Sequence, residues 1–100
     1  MHVIHKLTLE IKSGPQRFQI PSGSEIVAAQ MQGGLPRIWF KRPVEKTPDC
    51  NATFAVVGTG HAFDGSTHHI VATVQDDGFV WHIMAITADE CHATEQSMPV

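Results

Sequence analysis

What most constrains this chain is a two-residue alternation of apolar and polar side chains, carried by short segments and broken roughly every ten residues by glycine, proline or aspartate. Successive side chains of a strand point to opposite faces, so this pattern suits half-buried strands and leaves no room for the crossover helices of a parallel sheet. Val3, His5, Leu7, Leu9 and Ile11 share one side of the opening segment, and His2, Ile4, Lys6, Thr8 and Glu10 the other. Ser13-Gly14-Pro15 turns the chain and Phe18 and Ile20 resume the period, so the first two strands are expected to form a hairpin. Residues 26–32 alternate through Val27, Ala29 and Met31 and are read as a strand, although Ser22 with Glu25 resembles a capping box and Gly33 would suit a helix end. Gly33-Gly34 leads into a second run, Ile38 to Arg42, which Pro43 closes and which should pair with the preceding strand. Val44 to Ala52 is polar and reads as a surface loop. Thr53 to Val57 is apolar at successive positions, as a central strand covered on both faces would be. Asp76-Asp77-Gly78, between apolar runs at 69–75 and 79–86, is a strong hairpin signal.

Seven short strands with at most one short helix predict an all-β domain, a small antiparallel β-sandwich or open barrel over residues 1–86, followed by a polar C-terminal tail over 87–100. A chain of 100 residues supports one core and should bury about 65% of its unfolded surface. No apolar run approaches the roughly 18 residues of a membrane span, and the MHVIHKL start lacks the features of a secretory signal. The expectation is a soluble protein of the cytoplasm, with no membrane partner. Cys50 and Cys91 lie far apart and outside any CxxC pair, which in a reducing compartment suggests free thiols. A net charge of −3 has the wrong sign for generic attraction to a polyanion, so no nucleic acid partner is expected. Protonating all seven histidines would carry that charge to +4 (−3 + 7), which makes solubility sensitive to mild acid.

Two stretches carry candidate binding chemistry. Gly58-Thr59-Gly60-His61 follows the apolar strand and offers close backbone approach, free amides and a hydroxyl to a phosphate or other anion. It lacks the third glycine, helix and acid of a dinucleotide fingerprint, and its glycines equally suit a bulge or tight corner. In the run Arg37 to Arg42, alternation places Arg37, Trp39 and Lys41 on the face opposite Ile38 and Phe40. A planar base could stack on Trp39 while Arg37, Lys41 or Arg42 met its phosphates; an oligomer interface that buries Trp39 fits as well. Trp81 is assigned to the core with Phe79 and Ile83, and His82 to the reverse face.

Other constellations are weaker. His61, His68, His69 and His82 are metal-ligand types without metal-ligand spacing, since adjacent His68 and His69 on a strand diverge. Thr59, Ser66, His61, Asp64 and Asp76 include nucleophile, base and acid types, but no nucleophile elbow or paired-carboxylate pattern orders them. Neither a cofactor nor an enzymatic activity is expected.

At Phe54–His61 (FAVVGTGH), Ala72–Gln75 (ATVQ) and Phe79–His82 (FVWH), the chain resembles a family of short uncharacterised bacteriophage and prophage proteins. The likeness extends over roughly residues 2–86 and includes the Ile20–Ile26 entry (IPSGSEI) and the Gln30–Leu35 hairpin (QMQGGL). The chain departs from it in a longer 43–52 loop and a histidine-rich 61–69 stretch. The resemblance implies a phage origin and a compact β fold, but no activity. By analogy with other small phage proteins, the expectation is a non-enzymatic homo-oligomer that binds a small anionic ligand at a subunit interface. A nucleotide signal such as a cyclic nucleotide or an ADP-ribose derivative would be sequestered and host antiviral defence antagonised. The alternative is a structural or protein-interaction module using exposed strand edges or the Trp39 face against a host or virion protein.

Overall fold

The computed structural model describes residues 1–86, so the expected tail lies outside the described residues. The fold is all-β. Its strands are β1 (His2–Thr8), β2 (Gln16–Pro21), β3 (Glu25–Gln32), β4 (Leu35–Pro43), β5 (Asp49–Gly58), β6 (His68–Asp76) and β7 (Phe79–Ile86). They form two antiparallel sheets, β1-β4-β3 and β2-β5-β7-β6, which face one another without closing into a barrel. No helix among the described residues is long and apolar enough to cross a membrane.

Binary pattern explains the layering. Ile38 and Phe40 of β4 face Ile20, Phe54, Val56, Val74, Ile83 and Ala85 of the other sheet in one buried cluster. β5 is buried continuously from Ala52 to Val56 and lies between β2 and β7, the central place its unbroken apolar run predicts. The hairpins β3–β4 and β6–β7 form as the turn chemistry predicts, the second through Asp77 at φ 48° and Gly78 at φ 88°. Residues 25–32 are strand rather than helix.

Several expectations are corrected. β1 and β2 do not form a hairpin: β1 pairs with β4, and β2 pairs with β5 in the other sheet. Residues 9–15 therefore cross between sheets. Leu9 plunges into the core, and the buried Gln16 carboxamide clasps Glu10, accepting from its amide at 2.8 Å and donating to its carbonyl at 2.7 Å. Alternation identifies a strand but not its neighbour, so the pairing of β1 with β4 is not encoded in the period. The 44–52 loop is shorter than expected because Asp49 to Ala52 pair with β2. A bulge between Ile26 and Ala28 turns Val27 outward, leaving it 47% exposed. Phe79 shares the face of Trp81 yet is exposed, stacking on the indole at the open end of the sheet. Cys50 is disulfide-bonded rather than a free thiol; the other cysteine in the sequence, Cys91, lies outside the described residues.

Candidate functional site

The site takes shape where β5 ends. Gly58, its last residue, stands opposite Trp81 of β7 and is buried. A Cβ there would lie 3.3 Å from Trp81 Cζ3 and 3.4 Å from His61 Nδ1, so the indole and imidazole occupy the space that a side chain would need. The chain then turns through Thr59 and Gly60, the latter at φ 91°, and the His61 amide donates to the Gly58 carbonyl at 3.1 Å. The glycines thus serve both a tight corner and a close approach, and both bear on the wall of a cavity.

Beyond the corner, a network centred on Asp64 shapes the loop. Its Oδ1 accepts from the Ser66 amide at 2.9 Å and the Ser66 hydroxyl at 2.6 Å, while its carbonyl accepts from the amides of Thr67 and His68. The Ser66 hydroxyl, then the Ser66 amide, and lastly nearby His68 hold the Asp64 carboxyl below the usual carboxylate range. This turn carries Phe63 and His68 on its two flanks, their rings 6.4 Å apart.

Between this loop, the end of β5 and the 11–15 turn lies a cavity of about 390 Å³. Trp81, Phe63 and Val56 supply apolar and aromatic wall, and Lys12, His61 and His68 supply nitrogen donors. Its size and mixture of aromatic wall with a few polar groups are those of a small-molecule pocket. A smaller cavity of about 130 Å³ shares Gly58, His61 and Phe63 and adds Thr59, Gly60, His82 and Met84. Beside it, His82 bridges two hydroxyls: Thr59 Oγ1 is 2.9 Å from Nε2 and Thr73 Oγ1 is 2.9 Å from Nδ1. A neutral imidazole has one donor and one acceptor nitrogen, and each hydroxyl can complement either.

The two candidate stretches are not brought together. Gly58 and His61 line both cavities and Thr59 and Gly60 the smaller, whereas Arg37, Trp39, Lys41 and Arg42 belong to β4 in the other sheet and line neither. Arg37 donates to Thr8 Oγ1 at 2.7 Å and to the Gln32 carbonyl, Lys41 pairs with Glu25 at 3.6 Å, and Arg42 donates to the Pro43 carbonyl. Of the nucleophile, base and acid types, Thr59 meets His82 and Ser66 meets Asp64. Among the described residues no three His, Cys, Asp or Glu side chains gather as a metal-holding group.

Lys12, Phe63 and the wall role of Trp81 were missed by sequence reasoning. The Ser13-Gly14-Pro15 turn is legible, but its approach to β5 follows from the crossing of 9–15 between sheets, which alternation does not report. A family model described as a domain of unknown function, DUF7352, matches residues 1–94, and the chain belongs to that family. No curated protein and no solved structure matches the chain.

Proposed function

We propose that this member of a family of unknown function binds a small anionic ligand with a planar ring and releases it unchanged. The cavity of about 390 Å³ carries this reading. Trp81 and Phe63 offer ring surface, while Lys12 and the two histidines can meet negative charge. Among the described residues Lys12 makes an exposed ion pair to Glu10, at 3.2 Å, which a bound anion would readily replace. A nucleotide combines the required ring and charge, and by analogy with other small phage proteins its role would be to sequester a nucleotide-type defence signal in a host cytoplasm. In this reading Trp81 does the stacking and Lys12 supplies the charge.

The test is a thermal-shift screen against mono-, di- and cyclic nucleotides and ADP-ribose derivatives. A ligand at 100 times its dissociation constant stabilises by about 2.7 kcal/mol. The expected result is a saturable rise with one class, lost in Lys12→Ala and His68→Ala, with the ligand recovered intact after denaturation. No rise across the panel overturns the reading, and a cleaved ligand overturns its non-enzymatic part.

A second reading, a protein-interaction module, is favoured by β1. Among the described residues this strand pairs with β4 alone, and Val3 and Ile4 on it are 40% and 59% exposed. Such an edge is a template for strand addition by another copy or by a host or virion protein. A sedimentation mass of 11.0 kDa would contradict self-association by this route.

A further inference from the structure

The outer face of the β1-β4-β3 sheet is a second chemical surface, remote in the fold from the cavity. Trp39 sits at its centre, on the middle strand. Along β4 its same-face neighbours are Arg37 and Lys41, each two residues away and therefore about 6.6–6.8 Å along the strand. Across the sheet it is paired with Lys6 on β1 and Ala28 on β3. Ala28 is small and exposed, and the indole itself is half-buried.

Two of the three cations here are positioned by uncharged acceptors among the described residues. Lys6 Nζ donates to Gln32 Oε1 at 2.8 Å, and Arg37 donates to Thr8 Oγ1 at 2.7 Å and to the Gln32 carbonyl at 3.2 Å. All of these acceptors are uncharged. Lys41 has Glu25 at 3.6 Å, with both side chains more than two-fifths exposed, and such pairs exchange readily for another anion. Three of the seven Lys and Arg residues thus surround one aromatic ring, and among the described residues Glu25 is the one acid that the strand register places on this face. The overall charge of −3 arises elsewhere in the chain.

We infer that this face binds single-stranded nucleic acid, one base stacking on Trp39 and the flanking phosphates meeting Lys6, Arg37 and Lys41. Sheets that present an aromatic ring among cations take unpaired bases, because every base has a π-face and the backbone charge is independent of sequence. A duplex is disfavoured. Its bases are already stacked, and among the described residues this face presents no helix to enter a groove. The contact is short and sequence-tolerant, since a π-face and a phosphate are common to every nucleotide. It is separate from the cavity of the proposed function and stands or falls independently of it.

The test is fluorescence anisotropy of a labelled oligothymidylate of about ten nucleotides, titrated with the full chain at about 50 mM and then about 200 mM salt. Three phosphate contacts predict a log–log salt slope near −2, from about 0.7 per contact on a single strand. Base stacking is worth about 1–3 kcal/mol, so Trp39→Ala should weaken binding about 5- to 150-fold. Lys6→Gln and Arg37→Gln, both at exposed or half-exposed positions, should each reduce the slope by about 0.7 and keep the fold should Trp39→Ala lose it. Lys12→Ala should leave the titration unchanged, and a duplex of the same length should bind more weakly. Absence of binding at the lower salt overturns the inference. So does equal or tighter binding of the duplex, or binding that a folded Trp39→Ala variant retains in full.

Discussion

Gly58 and Gly60 lie two residues apart and are glycines for different reasons. At Gly58 the backbone is ordinary and the constraint is space, because the Trp81 ring stands 3.3 Å from the position of a Cβ. Gly58→Val should push the indole out of its seat, costing about 1–3 kcal/mol by overpacking, and abolish any nucleotide-induced thermal shift. At Gly60 the surroundings are open and the constraint is φ 91°. Gly60→Ala should cost about 1–2 kcal/mol in denaturant unfolding while retaining the ligand response. Asp64 adds a pH dependence whose sign is fixed by the direction of its shift. Its carboxyl titrates lower folded than unfolded, so its bonds to Ser66 favour the folded turn above the unfolded value and are lost as pH falls through the folded one. Protection of the Ser66 amide, relative to its intrinsic exchange rate, should fall as pH drops below the ordinary carboxylate value of about 4, and Asp64→Asn should remove that dependence.

At the scale of elements, local connections were legible and distant pairings were not. Gly33-Gly34 and Asp77-Gly78 dictate their hairpins through backbone preference alone, so β3–β4 and β6–β7 could be read from the residues between them. The Ser13-Gly14-Pro15 turn has similar chemistry, yet it joins strands in different sheets, since burial of Leu9 carries the chain across the core. What holds this crossing is a side chain acting as a strand partner. Replacing Gln16 by Leu would leave the Glu10 amide and carbonyl without their present partners, and denaturant unfolding should show a loss of about 1–3 kcal/mol. The same blindness to long-range pairing explains the site. Gly58 to His61 could be picked out from composition, but Lys12 and Trp81 join that corner from elements distant in sequence, and the β4 cations turn away with their own sheet.

For the whole molecule, layering follows from period and topology does not. β1 must find β4 and β2 must find β5, so both sheets depend on strands that lie far apart along the chain. Such non-local pairing places refolding in roughly the millisecond-to-second range, slower than a helical domain of this length. Stopped-flow refolding followed by tryptophan fluorescence should show this, and microsecond folding would contradict the topology. The arrangement also leaves two chemically distinct surfaces on opposite layers, an aromatic cavity at the end of one and a basic aromatic face on the other.

The crossing strap has a mechanical consequence. Residues 9–15 tie the two layers, and Ile11 to Pro15 of that same strap form one side of the cavity. An occupant would therefore act as a strut wedged against the tie, resisting shear of one layer over the other. The Glu10 amide, clasped by Gln16 at the strap's anchor, is where that bracing would be felt as slower opening.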